Sequence, residues 1–323
     1  MAGVLERPAL LVATSGGHLD ELHRLRNRLF AMDQPVEWVT HDGDQLASLL
    51  TDETVHVVPY IKPRGYGALA ASLIPALRIL KGQNYSMIVT TGAGIALPFV
   101  AIGRLQKLPC HYIESAARAT RASLTGSIAA RIPGLKLYTQ YPAWAGRRWQ
   151  YHGALFDGFT ATDVAHSDRV QRVVVTLGTM RNFGFRRAVT SLLRVLPDIL
   201  ESESEVLWQT GCTDVSGLGI TSQDTLPTEE LRTAIASADL VVAHAGVGSA
   251  LTALESGHRP LLLPRQAAHG EHIDDHQLMI AAELSGRGLA VSSSPDALTV
   301  EHLRAALAGR VAAVDQPPPF GLQ

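Results

Sequence analysis

Short apolar runs alternate with amphipathic stretches along the first half of the chain. The apolar runs have the length and composition of buried strands, and they cover residues 9–13, 36–39, 55–58, 86–89, 111–113 and 135–138. The stretches between them repeat apolar positions with helical spacing, over residues 19–30, 69–80, 95–105 and 124–131. Helices that alternate with apolar strands predict a parallel sheet that is covered on both faces.

The same alternation restarts in the second half. It predicts strands at residues 172–176, 206–209, 240–243, 261–263 and 289–291, with helices at 185–196, 229–236, 251–256 and 274–284. The polar segment 157–168 between the halves is interpreted as a linker, which predicts two α/β domains at residues 1–160 and 166–323. The prolines at 317–319 are expected to form a frayed tail or a surface strap.

Composition narrows the class of protein. The chain has 323 residues, 46% of them hydrophobic, a net charge of −2 and two cysteines. An ordinary globular core is expected, whereas a nucleic-acid partner and a disulfide framework are not, and a reducing cytoplasm is the expected compartment. No signal peptide is recognised, and glycines and a proline interrupt the most apolar stretch, residues 87–103. We therefore expect a protein that is soluble or lies on a membrane surface.

A glycine turn follows the first strand, with the sequence Thr14-Ser15-Gly16-Gly17-His18. Its glycines allow the backbone to approach a ligand, and a neutral histidine at the start of the next helix can accept a proton from a hydroxyl. His18 is therefore a candidate general base. The alternative is a loop histidine that only caps the helix. The Rossmann fingerprint G-x-G-x-x-G is absent, which argues against a nicotinamide enzyme.

Two turns in the second half suit a diphosphate. The first ends the strand 172–176 at Leu177-Gly178-Thr179, and the second is His244-Ala245-Gly246-Val247-Gly248-Ser249, directly before a helix. Free amides and the helix dipole favour an anion at such a helix start, and Ser249 is expected to cap the helix or touch phosphate. The alternative for each turn is plain capping without a ligand.

The run from Glu271 to Gln277 admits two interpretations. His272 and His276 have a spacing that metals use on a helix, with His269 or His244 as a possible third ligand. In the favoured interpretation no metal is present, and Asp275, His276 and Gln277 bind sugar hydroxyls beside the phosphate turn.

Two further segments of the first half carry candidate chemistry. Glu114 and Arg118 follow a strand and could orient an acceptor or bind its phosphate, although a helical ion pair between them is the simpler interpretation. The segment 60–81 places Lys62, Arg64, Arg78 and Lys81 around apolar positions. It could lie on an anionic membrane with Tyr60 and Tyr66, although a helix whose apolar face is buried against the sheet is the expected alternative.

Taken together, these motifs resemble bacterial exopolysaccharide glycosyltransferases of the family 28 type. The second half resembles their catalytic half through the turn at 244–249, Pro264-Arg265 and the run 270–277. The first half resembles their membrane-recruiting partner through residues 15–19, 112–115, 124–126 and 140–142. Both halves are also similar to the two-subunit eukaryotic enzyme that adds the second N-acetylglucosamine to a dolichol-linked precursor, here fused in one chain.

The resemblance implies a GT-B fold, with two Rossmann-like domains whose parallel sheets face a cleft. It implies an inverting reaction without a cofactor, a UDP-sugar donor, a polyprenyl-diphosphate-linked acceptor and a peripheral place on the inner face of the cell membrane. Donor contacts would come from Thr179, His244, Gly246, Gly248, Ser249, Arg265, Asp275, His276 and Gln277. Acceptor contacts would come from Gly16, Gly17, Glu114 and Arg118, with His18 as the base.

The chain departs from its relatives at two points. Thr252 stands where several relatives carry a glutamate that grips the nucleotide ribose, and the nearest glutamate is Glu255. The N-terminal membrane span of the eukaryotic recruiting subunit is also absent. A UDP-sugar epimerase, a transferase with a soluble acceptor and a non-catalytic nucleotide-sugar-binding partner remain alternatives.

Overall fold

The computed structural model describes residues 7–43, 46, 49–60, 72–164, 169–180 and 182–322. The chain forms two compact units. The first comprises Met1–Phe156 with Pro317–Gln323, and the second comprises Asp157–Gln316. Each unit is built around a parallel sheet, as the alternation of apolar and amphipathic stretches predicts.

The first unit has a sheet in which every described strand pair is parallel, in the order β3-β2-β1-β4-β5-β6-β7. Its strands are β1 (Ala9–Ala13), β2 (Val36–Thr40), β3 (Thr54–Val57), β4 (Met87–Gly92), β5 (Cys110–Ile113), β6 (Lys136–Thr139) and β7 (Gln150–Tyr151). Its helices are α1 (Gly17–Leu29), α2 (Leu73–Gly82), α3 (Ala96–Leu105) and α4 (Leu124–Ala129). The residues of β1, the central strand, are all fully buried, which explains its continuous apolar sequence.

The second unit has a parallel sheet in the order β10-β9-β11-β12-β13 and an antiparallel pair, β14-β8. The strands are β8 (Phe159–Asp163), β9 (Val170–Thr176), β10 (Leu200–Gln209), β11 (Leu240–His244), β12 (Leu261–Leu263), β13 (Val291–Ser292) and β14 (Gly309–Ala313). The helices are α5 (Arg186–Val195), α6 (Thr228–Ala236), α7 (Val247–Glu255), α8 (His276–Gly286) and α9 (Val300–Leu307).

The structure differs from the predicted organisation at both ends of the second unit. Part of the segment interpreted as a linker is the strand β8, which pairs with β14. Its residues are mostly exposed, so its polar sequence lacks the apolar signal of a buried strand. The C-terminal segment belongs to the first unit, where Phe320 is 1% exposed, stacks edge-on against Tyr138 and donates its backbone N–H to Arg28 O. Of the two expectations for this tail, the structure therefore shows a strap.

The outward face of α2 also differs from expectation. Ala76 and Leu80 are buried, but Leu73, Ile74 and Leu77 are exposed. The apolar stripe of this helix is thus only partly used in packing against the sheet. Leu69 and the predicted membrane contacts Lys62, Arg64 and Tyr66 lie outside the described residues. None of the helices in the described ranges has the length and apolarity needed to span a bilayer.

Candidate active site

Three parallel strands of the second unit bring the turns that follow them to one edge of the sheet. β11 pairs with both β9 and β12, so the turns after Thr176, His244 and Leu263 open at the same edge. Ligands of open α/β sheets bind at this carboxyl edge. The predicted donor residues Thr179, His244 and Arg265 therefore come from neighbouring turns, as the sequence pattern indicates.

The His244 ring occupies space that two glycines leave open. Gly178 has φ +82°, and a Cβ there would lie 2.8 Å from His244 Cε1. A Cβ on Gly246 would overlap His244 Nε2. Burial, with the positive charge of Arg265 as the next cause, lowers the pKa of His244 to about 3, so the ring is neutral. Thr179, next to Gly178, is exposed at this edge.

The start of α7 is suited to an anion. Gly246 occupies the N-cap position with an extended backbone and provides no side-chain cap. The backbone N–H of Ala250 donates to Gly246 O at 3.0 Å. The N–H groups of the first turn, including those of Gly248 and Ser249, come before this bond and have no acceptor within the helix. The prediction that Ser249 could cap the helix is corrected, since Ser249 lies inside the first turn. An uncapped helix start at a sheet edge is a phosphate-binding arrangement.

Arg265 lies just after β12 and is only 1% exposed. Its guanidinium donates to Leu177 O at 2.6 Å, Phe183 O at 2.6 Å and Glu271 O at 3.2 Å. It also lies over the Phe185 ring, 5.1 Å from the centroid. Through these contacts, Arg265 connects the turn after β9, the segment before α5 and the loop before α8. Its direct contact with a donor stays a prediction.

The loop from Arg265 to Gln277 is held at both ends. Gln277 Oε1 accepts from the backbone N–H of Arg265 at 3.0 Å, and Asp275 Oδ1 accepts from the N–H of Ala267 at 2.8 Å. Gln277 is buried, whereas Asp275 is exposed. These oxygens are thus engaged within the loop, and the binding of sugar hydroxyls by Asp275 and Gln277 stays a prediction.

His272, Asp274 and His276 form a compact cluster in this loop. His276 Nδ1 lies 2.5 Å from Asp274 Oδ1, and the two imidazole rings are 4.6 Å apart. Since α8 begins at His276, the two histidines do not share a helix face as the metal interpretation requires. Their ligand atoms still lie within 4.8 Å of one another and of Asp274, which makes them a group that could hold a metal ion. Asp274 would then be the third ligand, instead of His269 or His244.

In the first unit, the turn after β1 places His18 at the start of α1. Gly16 has φ +103°, a conformation that favours glycine. His18 Nδ1 lies 2.8 Å from Thr91 O. A carbonyl only accepts hydrogen bonds, so Nδ1 carries the proton and Nε2 keeps its lone pair. Burial lowers the pKa of His18 to about 4, with Arg118 adding to the effect, so the ring is neutral near pH 7. This tautomer suits a general base.

Glu114 follows β5 and is fully buried. Its Oε2 accepts from the backbone N–H of Ser123 at 2.9 Å and from Ser123 Oγ at 3.1 Å. Burial raises its pKa. The alternative of a helical Glu114–Arg118 ion pair is corrected, because residues 114–118 form a turn and not a helix. Glu114 thus fixes the start of α4, and its contact with an acceptor stays a prediction.

Sequence reasoning missed two acidic residues of these sites, Glu21 and Asp274. Glu21 is buried on α1 and bonds to Ser115 and Ala116. Its position one helical turn after His18, on an otherwise apolar face, was an available signal. Asp274 was visible only as part of an acidic run, and its pairing with both histidines depends on the loop conformation.

Comparisons with solved structures define the class of fold. Acinetobacter baumannii MurG is similar at TM-score 0.59 and 17% identity, over 92% of this chain and 88% of that one. The glycosyltransferase SnogD from Streptomyces nogalater gives 0.58 and 18%, over 94% and 90%. S. aureus MnaA, solved with UDP, gives 0.57 and 10%, over 94% of each chain. The GT-B fold with two Rossmann-like domains is thereby confirmed.

The family comparison assigns the second unit. Residues 172–310 match the glycosyltransferase family 28 C-terminal domain. No curated protein matches the chain in sequence. The second unit is thus similar to this domain, and the predicted enzyme class, a glycosyltransferase, is confirmed.

Proposed function

We propose that this enzyme moves a sugar, with inversion, from a UDP-sugar to a polyprenyl-diphosphate-linked saccharide in polysaccharide or glycoconjugate synthesis. The observation that carries the proposal is the uncapped start of α7 at the carboxyl edge of the family 28 domain. A diphosphate would accept hydrogen bonds from the amides of Gly248 and Ser249 there. The structure of MnaA with UDP shows that a protein of similar fold binds this nucleotide.

The second unit would hold the donor. Amides of the 246–249 turn and the hydroxyl of Thr179 would stabilise the negative charge that develops on the leaving UDP, and this type of stabilisation is commonly the largest catalytic contribution. His276 Nε2 and the Gln277 amide would hold the sugar hydroxyls. Arg265 would act by keeping the surrounding turns in place through its hydrogen bonds to backbone carbonyls.

The first unit would activate the acceptor. His18 Nε2 would take the proton of the acceptor hydroxyl as the oxygen attacks the anomeric carbon and the bond to UDP breaks. The glycine turn at Gly16 and Gly17 is exposed and would admit the acceptor close to the backbone. Arg118 would contribute positive charge towards the acceptor diphosphate.

The exposed face of α2 supports a membrane-bound acceptor. Leu73, Ile74 and Leu77 are exposed by 41%, 56% and 40%, and Arg78 and Lys81 on the same helix are also exposed. A helix that places apolar side chains beside basic ones can lie in the plane of an anionic lipid surface. We propose that the enzyme works at the cytoplasmic face of the cell membrane in this way.

The test is incorporation of labelled sugar into a polyprenyl-diphosphate-linked saccharide, with a panel of UDP-sugars as donors. Transfer that persists with a chelator would support a reaction without a metal cofactor. Transfer to a soluble acceptor in the absence of lipid would contradict a lipid-linked acceptor and would indicate a soluble one. Conversion of a UDP-sugar without any acceptor would instead identify an epimerase.

A further inference from the structure

Glu21 is a buried carboxylate that none of the proposed steps uses. It lies on α1, is 2% exposed, and stands three residues after His18, so both side chains occupy the same side of the helix. Its Oε1 accepts from Ser115 Oγ at 2.7 Å, and its Oε2 accepts from the backbone N–H of Ala116 at 3.1 Å. These bonds join residues about 94 positions apart in sequence.

The partner of Glu21 is the turn 115–118, which carries Arg118. The N–H of Arg118 donates to Ser115 O at 2.9 Å and closes the turn. The N–H of Ala117 donates to Ser115 Oγ at 3.1 Å, and the Tyr141 hydroxyl donates to Ala116 O. The turn is therefore rigid, and Glu21 is the group that attaches it to the helix carrying His18.

The chemistry of the attachment favours a carboxylate. Ser115 Oγ and the Ala116 amide both donate towards Glu21, and an ionised carboxylate accepts two such bonds without donating any. The charge is costly at this position. Burial is the main cause that raises the pKa of Glu21 to about 7. The hydrogen bonds from Ser115 and Ala116 act in the opposite direction, while the negative charges of Asp20 on its own helix and Glu114 after β5 contribute to the rise. Tyr112, in β5, is the other titratable group that interacts with it.

We propose that Glu21 is a positioning residue for the acceptor side of the reaction, holding the Arg118 turn in a fixed place relative to His18. The inference rests on the proposed function, because it assigns Arg118 and His18 to the acceptor. It predicts that loosening the attachment impairs use of the acceptor and leaves donor binding unchanged. Misplacing a binding group by about 1 Å can cost on the order of 100-fold in rate.

The experiment compares Glu21→Gln, Glu21→Ala and Ser115→Ala with the control Asn27→Ala. Asn27 lies on the same helix and its side chain is exposed. Initial rates are measured with varied lipid-linked acceptor and with varied UDP-sugar, from pH 5.5 to 8.5. We expect Glu21→Ala to lower acceptor kcat/KM by roughly 10- to 100-fold with an unchanged donor KM. The wild-type to Glu21→Gln ratio of acceptor kcat/KM should be near one at pH 5.5 and rise through pH 7, as only the wild-type carboxyl ionises.

A pH-independent ratio, or equal losses on the donor and acceptor sides, would overturn the inference, as would wild-type acceptor kinetics in Glu21→Ala. Melting temperatures identify any variant that fails to fold, and Glu21→Gln, which keeps the shape of the side chain, still decides the question in that case. If the wild type transfers no sugar to any lipid-linked acceptor, the proposed function itself fails. If the wild type transfers and the variants match it, only the role of Glu21 fails.

Discussion

The backbone N–H of Arg265 donates a 3.0 Å hydrogen bond to the side-chain oxygen of Gln277. One residue follows β12 and the other lies in the first turn of α8, and both are buried. The bond closes the loop that carries His272, Asp274 and His276. The loop that is proposed to bind the donor is thereby held between two secondary-structure elements, and such support keeps the geometry of a binding loop fixed.

The same loop is anchored by a salt bridge between Arg187 and Glu271. Arg187 Nη2 lies 2.8 Å and Nε lies 2.9 Å from the two carboxylate oxygens, and the Glu271 side chain is 6% exposed. Arg187→Ala would leave the buried Glu271 carboxylate without its cationic partner and should lower the free energy of unfolding by about 3 kcal/mol in urea denaturation. Arg186→Ala, which removes the neighbouring and more exposed arginine, is the control. Equal effects of the two variants would contradict the assignment.

Replacing His18 tests the base. His18→Ala should lower kcat for transfer by about 10²- to 10⁴-fold, since Nε2 is the proposed proton acceptor. The UDP-induced rise in melting temperature should remain, because the proposed donor groups belong to the other unit. With a pKa of about 4, His18 stays neutral down to that pH, so the acid limb that it causes should lie near pH 4. His23→Ala, on the same helix, is the control, and full transfer by His18→Ala would exclude this role.

Glu21 should make stability depend on pH in a distinctive direction. Its folded-state pKa, about 7, lies above the ordinary value of 4.5, so its stabilising contribution is complete below pH 4.5 and is lost as pH rises through 7. The loss is on the order of 3 kcal/mol. Urea denaturation should therefore show Glu21→Gln gaining stability relative to the wild type between pH 5 and pH 8. The same difference at both pH values would contradict the buried, ionisable state.

Membrane contact through α2 can be separated from catalysis. Replacing Leu73, Ile74 and Leu77 by serine removes exposed apolar groups and should weaken binding to phosphatidylglycerol vesicles by about tenfold or more. Because Arg78 and Lys81 add attraction, wild-type binding should also weaken as salt rises. Leu105→Ser, at a site that is 84% exposed on α3, is the matched control. Sedimentation with vesicles measures binding, and unchanged sedimentation of the triple variant would refute contact through this face.

Much of the fold and the location of the site could be predicted from the sequence. The apolar runs 9–13 in β1, 173–175 in β9 and 240–243 in β11 are buried, so they are continuous in the sequence and easy to recognise. The glycines at 16, 178 and 246 mark turns for two reasons. Gly16 and Gly178 have a positive φ, and a Cβ on Gly178 or Gly246 would crowd the His244 ring. The polar strand β8 lacks such a signal, since its exposed residues follow no apolar pattern, and its pairing with β14 comes from a segment far along the chain.

By itself, the sequence determined the order of the buried strands and of most helices, and the turns that follow those strands, because hydrophobic periodicity and glycine turns are local properties. Only the tertiary structure decided what individual polar side chains do. Arg265 turns inward to backbone carbonyls, Glu21 reaches the turn after β5, and Leu73 remains exposed on α2. The surroundings of each side chain are formed by segments that are distant in sequence. Its burial, and the pKa of a titratable group, follow from those surroundings.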